Sequence, residues 1–185
     1  MTLREAKEKV YMLLDEHSTA GEIEHDRDME LKMAYFFDIA QKLVAQVRKI
    51  PRSKTVHPVP ERTEYLMPED LRSVQRIWRD GAIATGRYHW RRGRLVVPPG
   101  DGAKELLVEY FALPETIGPD TPDDYEFELD EAACQCLPYY VAAQQLLPDL
   151  VMDYGAMLGM FNQAVNMLGP DEQERPGRVS QTLFS

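Results

Sequence analysis

Apolar positions along the chain change period twice, and the changes divide it into segments. Residues 1–50 repeat at helical spacing. Thr2 with Glu5 makes a capping box, followed by Leu3, Ala6, Val10, Leu13 and Leu14. This first helix is expected to stop near His17-Ser18, where Thr19-Ala20-Gly21 makes a turn. A second, beginning near Asp26 or Asp28, carries Met29, Met33, Phe36, Phe37, Ala40, Leu43, Val44 and Val47 until Pro51 closes the stripe. Two helices with so short a connection pack as an αα-hairpin.

Over residues 51–114 the helical period disappears. Prolines at 51, 58, 60 and 68 exclude a long helix. Short β-rich fragments at 55–59, 74–78, 83–84, 88–91, 95–97 and 105–112 lie between turn residues. Asp80-Gly81 and Arg92-Gly93 are tight-turn dipeptides, and residues 98–102 form a longer turn. Met67-Pro68-Glu69-Asp70 suits a short helical turn with Pro at its start. The segment reads as an antiparallel β insertion of three to five strands.

Helical spacing returns over 115–170. Asp130 and Glu131 suit a first helical turn, and Ala133, Leu137, Tyr140, Val141, Gln144 and Leu147 make the stripe. Pro138 inside it is expected to kink the helix, and Pro148 to end it. A last helix presents Leu150, Tyr154, Met157, Leu158, Phe161, Val165 and Leu168, then stops at Gly169-Pro170. Residues 171–185 read as a flexible tail finishing on Leu183-Phe184. The expected class is therefore mainly α with a β insertion (α+β): an antiparallel bundle of two N-terminal and two C-terminal helices, a small antiparallel β subdomain and an extended tail.

Composition adds bounds. The chain has 185 residues, 44% hydrophobic and 28% charged, as an ordinary globular protein has. The charged N-terminus lacks a secretory apolar run, and no apolar stretch escapes interruption long enough to span a bilayer. Cys134 and Cys136, two apart on a predicted helix, face different ways and cannot pair, which suits a reducing cytoplasm. The net charge of −10 hides a segregation. Residues 48–94 hold 12 Lys/Arg against 5 Asp/Glu, whereas residues 101–174 hold one Lys against 16 Asp/Glu. Such a molecule can set its basic part against a neighbour's acidic part, or show an acidic face to something that must not stick. Solvated faces of both signs explain each patch singly just as well.

Candidate chemistry is thin. His17, Glu22, Glu24, His25 and Asp26 offer N and O ligands to a metal, but without a recognised spacing and in a turn that would be polar anyway. The run Asp120, Asp123, Asp124, Glu126, Glu128, Asp130, Glu131 lacks the pattern of an EF-hand loop; helix capping and a solvated acidic loop account for it, and repulsion of DNA is a further use. Arg87, Tyr88, His89, Trp90, Arg91, Arg92 and Arg94 mix bases with aromatics as nucleic-acid surfaces do; a hairpin with one buried aromatic face explains them equally. The serines sit in no nucleophile elbow, and no phosphate-binding loop occurs. Gly155 and Gly159 in GxxxG spacing signal close helix packing, and Met152, Met157, Met160 and Met167 signal core or an adaptable interface. No enzyme, cofactor or metal site is expected.

The order αα, β insertion, αα, tail carries three quoted pieces: the strand end EYFALP at 109–114, the connector DTPDDYEFELDEAA at 120–133, and LPYYVAAQQLL at 137–147. With them the chain resembles the head–tail adaptor (connector) proteins of tailed double-stranded-DNA bacteriophages and prophages. Simple adaptors are nearly all helix, so the β insertion departs from their pattern; larger gatekeeper-type adaptors of short-tailed phages carry one.

The resemblance implies a homo-oligomeric ring, typically dodecameric, under the portal protein at the virion neck. Double-stranded DNA would pass through without sequence-specific binding, and a stopper, tail-terminator or tail-tube component would dock beneath. Assembly would occur in the host cytoplasm, with no membrane partner. It also implies a portal-docking tail, here Arg175, Arg178, Leu183 and Phe184. Ring or bundle contacts are expected at Leu137, Tyr139, Tyr140, Met157 and Phe161, and an acidic lumen or inter-subunit face at Asp123, Asp124, Glu126 and Glu128. The competing expectation is a nucleic-acid-binding packaging or regulatory accessory protein using the basic hairpin 87–94. A hydrolase or metalloenzyme at residues 17–26 is the third.

Overall fold

The capping box closes as its spacing predicts: Thr2 N–H donates to Glu5 Oε2 at 2.9 Å, and Glu5 N–H donates to Thr2 Oγ1 at 3.2 Å. It opens α1 (Leu3–Asp15) of the computed structural model, which describes residues 1–15, 27–146 and 151–169. Leu3, Ala6, Val10 and Leu14 are buried at helical spacing. In α2 (Arg27–Val44) the buried face is Met33, Ala34, Phe37, Ala40, Gln41 and Val44. The α+β class expected from the sequence holds, with the helices and the strands in two separate units.

The helical unit comprises residues 1–48 and the chain from 116 on. Within it, the continuous kinked helix expected around Pro138 is replaced by two helices, α3 (Glu131–Cys134) and α4 (Leu137–Leu146). The break falls at Gln135-Cys136, before the proline. Pro138 has no N–H to donate, and its ring would collide with the carbonyl four residues back. Placed in the first turn of α4 it loses nothing, because that turn has no internal acceptor to reach. Asp130 is the N-cap of α3, its Oδ1 accepting from Ala133 N–H at 2.8 Å. Residues 147 and 148 lie outside the described residues.

α4 carries no charged side chain and buries Leu137, Pro138, Val141, Ala142 and Ala143. It packs against α1, α2 and α5 (Val151–Met167), so each of these covers part of its circumference. Tyr140 meets Phe161 of α5 at 5.2 Å between ring centroids, and Met157 and Phe161 are buried. α5 stops where the sequence predicts, with Gly169 at a φ of +65°.

The β unit, Lys49–Glu115, holds seven strands in two sheets, more than the three to five expected. The four-stranded sheet has the order β1-β7-β3-β4, from β1 (Ile50–Val56), β3 (Leu71–Arg79), β4 (Ala82–Ile83) and β7 (Leu106–Ala112). Its ladders are antiparallel. Pro51 does not exclude a strand, because β1 is an edge strand and asks no donor of it on its open side. The second sheet is β2 (Glu64–Leu66), β6 (Arg94–Val96) and β5 (His89–Arg91), again antiparallel. Asp80-Gly81 and Arg92-Gly93 turn their hairpins with positive φ at both residues, the left-handed geometry that strand twist demands. Residues 67–70 form a turn and not a helix.

The two sheets share one core. Val56, Ile77, Leu106 and Val108 come from the first, Tyr65 and Leu95 from the second, and Met67, Tyr88, Val97 and Ala103 close the gaps. Among the described residues no helix is long and apolar enough to cross a membrane.

Because α4 is enclosed by three helices, Leu137→Ala is expected to destabilise the helical unit by about 2–5 kcal/mol. The loss of helical circular dichroism in urea measures it. Met12→Ala, on an exposed position of α1, should stay within about 0.5 kcal/mol of the parent.

Candidate interaction surfaces

The turn at 98–102 does more than reverse the chain. It delivers Asp101, whose carboxylate is 2% exposed, into a set of three partners. Arg79 Nε donates to Oδ2 at 3.2 Å, the Tyr88 hydroxyl donates to Oδ2 at 3.1 Å, and Arg87 Nε lies 2.8 Å from Oδ1. Burial alone would raise the carboxyl's pKa, but the hydrogen bonds from Tyr88 and Arg79 and the charges of Arg87 and Arg79 hold it below its ordinary value. Burial, then the bond to Asp101, pushes the Tyr88 phenol up to about 12. Asp101 thereby ties β3 and the 3-10 turn Thr85–Arg87 to the loop before β7. Sequence reading missed it because a single acid in a Pro/Gly turn has no periodicity to mark it.

This cluster changes the basic hairpin. Arg87 is spent on Asp101, and Arg94 lies 3.8 Å from Glu64 on the neighbouring strand. Arg91 and Arg92 stand exposed at the tip beside Trp90 and His89, and no ion pair engages either among the described residues. Tyr88, grouped with the aromatics in sequence, is a core residue. The hairpin 87–94 therefore offers two free guanidinium groups where its sequence offers four.

The acidic connector turns at 123–124 and bends at 128–129, and its burial alternates from 126 to 130. Phe127 and Leu129 point inward while Glu126, Glu128 and Asp130 point out. The chain's first residues pair with it: Leu3 N–H donates to Tyr125 O at 2.8 Å, Arg4 N–H to Asp123 O at 2.9 Å, and Phe127 N–H to Met1 O at 3.2 Å. Phe127 stacks obliquely on Phe37 at 5.8 Å. Asp123 accepts from Lys7 Nζ at 2.7 Å, and Asp130 lies 3.2 Å from Arg48. Asp124, Glu126 and Glu128 are exposed. The strip is thus a built edge with apolar anchors, rather than a loose acidic loop.

Of the residues proposed for ring or bundle contact, Leu137, Met157 and Phe161 are buried inside the helical unit. Tyr140 is half-buried against Phe161, and Tyr139 lines a shallow groove with Lys9, Met12, Leu13, Gln135 and Pro138. Cys134 and Cys136 are buried free thiols, and burial pushes the Cys134 thiol up to about 11. Arg175, Arg178, Leu183 and Phe184, and the metal candidates at 17–26, lie outside the described residues. Among the described residues no group of three or more His, Cys, Asp or Glu is placed to hold a metal.

A second apolar ridge runs along α2, on the face away from its buried one. Leu31, Tyr35, Ile39 and Leu43 recur every four residues and are 37%, 56%, 42% and 38% exposed. The spacing is legible in the sequence, yet Leu43 reads there as part of one broad stripe with the core residues. On α5 the exposed arc is Gly155, Ala156, Gly159, Met160, Asn162, Gln163, Asn166 and Met167, and no charged residue occurs from Tyr154 to Gly169. Comparison of the chain with protein-family models and with curated proteins finds no match to either.

Two outcomes follow from these geometries. Asp101's folded-state pKa lies below its unfolded one, so its stabilisation is present above the unfolded value, near the ordinary carboxylate pKa of about 4, and is lost as pH falls through the folded value. Asp101→Asn should therefore weaken the β unit at neutral pH and shrink its acid-induced loss of stability. Leaving the buried Tyr88 hydroxyl poorly matched costs about 1–3 kcal/mol. Both tryptophans, Trp78 and Trp90, lie in this unit, so tryptophan fluorescence in denaturant at several pH values reads it alone. Separately, Cys134 and Cys136 should resist iodoacetamide at neutral pH and label readily once the chain is unfolded, as mass spectrometry would show.

Proposed function

We propose that the chain is a structural head–tail adaptor of a tailed double-stranded-DNA phage or prophage. In this reading the protomer's helices form an antiparallel bundle, and copies form a ring that docks on the portal and extends the DNA channel. The far side receives the next neck or tail component. The observation that carries the reading is the exposed acidic connector. Asp124, Glu126 and Glu128 point outward from a segment anchored by Phe127, Leu129 and three backbone hydrogen bonds to the N-terminus. A rigid row of carboxylates repels phosphate and lets a duplex slide without being held.

The distribution of charge between the units agrees. Counting Lys and Arg against Asp and Glu, the β unit carries +3 and the rest of the chain −13. Copies can then meet through unlike patches, as a heterologous ring contact requires. The tail's Arg175, Arg178, Leu183 and Phe184 remain the proposed grip on the portal, by ordering of an apolar-tipped segment on its partner.

A second reading keeps the hairpin tip as a nucleic-acid contact, favoured by the exposure of Trp90, Arg91 and Arg92 together. Two free arginines in a molecule of net charge −10 make a small electrostatic footprint.

Electron microscopy of the purified protein mixed with assembled portal tests the first reading. A ring seated on the portal is expected, with little affinity for free duplex; a chain that joins no portal under any condition overturns it. Salt-sensitive duplex binding abolished by Arg91→Ala/Arg92→Ala would establish the second instead.

A further inference from the structure

α1 and the start of α4 leave a groove between them. Lys9, Met12, Leu13, Gln135, Pro138 and Tyr139 line one part of it. A wider part shares Lys9 and Met12 and adds Glu5, Glu8 and Glu131. Met12 is 65% exposed, and Lys9 Nζ is turned to Gln135, donating to its Oε1 at 2.6 Å. Glu5 is occupied in the capping box. Glu8 and Glu131 stand exposed at the rim, and no ion pair engages either among the described residues. An apolar groove with free carboxylates at one end suits an apolar segment that brings its own cations.

Three stretches of the chain lie outside the described residues, and charge separates them. Residues 16–26 hold Glu16, Glu22, Glu24 and Asp26 and no Lys or Arg, so the acidic rim repels them. Residues 147–150 have Asp149 as their only charge. In residues 170–185 every charge beyond Glu174 is basic: Arg175 and Arg178 precede Val179, Leu183 and Phe184. Of the three, this stretch alone complements the groove.

The path is short enough. Tyr140, in the first half of α4, meets Phe161 of α5, and only residues 147–150 join the two helices, so α5 runs back along α4. Gly169, beyond the end of α5, lies about 12 Å past Phe161 along that axis. The chain therefore leaves α5 at the end of the unit where α4 begins. From Gly169 to Arg175 it spans up to about 20 Å, the width of two packed helices. The arginines then meet the acidic end first, and Leu183-Phe184 the apolar end beyond it.

We propose that the groove between α1 and α4 holds residues 175–185 of its own chain. Arg175 and Arg178 face Glu8 and Glu131, and Leu183 and Phe184 cover Met12, Leu13 and Tyr139. This contact belongs to the free protomer and needs no part of the adaptor reading. Within that reading the tail exchanges the groove for the portal. A chain that closes the contact yet joins no portal keeps this inference and sinks the adaptor.

Experiments on the full chain test it. In a glutathione redox buffer, Met12→Cys with Ser185→Cys should form a disulfide within one chain, the native Cys134 and Cys136 being buried. Mixing isotope-labelled with unlabelled protein before oxidation, then mass spectrometry of the linked peptides, tells this from a link between copies. Glu8→Lys/Glu131→Lys should lower the yield of the link by about fivefold, and adding Arg175→Glu/Arg178→Glu should restore it. Arg175→Glu/Arg178→Glu alone, which leaves α1 and α3 untouched, should lower it equally. Absence of the intrachain link overturns the proposal. So do mixed-isotope links, which mean that the groove takes the tail of another copy, and dimers from Met12→Cys alone, which mean that two copies meet there face to face. A yield indifferent to all the charge changes also overturns it, because chance collision of a tethered tail then accounts for the link.

Discussion

The helical unit depends on covering α4. α4 (Leu137–Leu146) has no charged residue and buries Leu137, Pro138, Val141, Ala142 and Ala143, a wide apolar face that other helices must cover. α1 offers Leu3, Ala6, Val10 and Leu14; α2 offers Met33, Phe37, Ala40 and Val44; α5 offers Met157 and Phe161. Ala142 and Ala143 keep α4 slim enough for its neighbours to come close. Pro138 decides where this helix begins and separates it from the acid-capped turn that precedes it.

That packing leaves the connector little choice of path. Its alternation of Phe127 and Leu129 with Glu126, Glu128 and Asp130 buries two side chains in the unit and turns the other three to solvent. Backbone bonds to Met1, Leu3 and Arg4 hold it in place, so the acidic edge inherits the rigidity of the helices beneath it. Asp38 adds a second fastening, accepting from Ile117 N–H at 3.1 Å. The proposed lumen strip is thus a consequence of apolar burial, with the acids on the side burial does not use.

The β unit uses charge in the opposite manner. Asp101 sits in the interior and draws in two arginines and a tyrosine, and Arg52 pairs with Asp70. Arg76 and Arg94 lie near Glu109 and Glu64 at longer range. Much of the basic excess visible between residues 48 and 94 is consumed in holding strands and loops to one another. What remains free at the hairpin tip is small, and this is why the basic run weighs less in the proposed function than its composition suggests.

The capping box, the helical periods of α1, α2 and α5, the two positive-φ hairpin dipeptides and Asp130 at a helix start were all legible in the sequence. Each is local: a few neighbouring residues and the backbone settle it. Pairing was not legible. Nothing in the run Ile50–Val56 announces an edge position that tolerates Pro51, and nothing in residues 98–102 announces that Asp101 is buried among distant arginines. Nor does spacing tell the covered face of α2 from the ridge of Leu31, Tyr35, Ile39 and Leu43, since both are apolar at helical period. Periodicity depends on the geometry of one element. Which of two apolar faces is buried, and which of four arginines stays free, depends on residues far along the chain that only folding brings near.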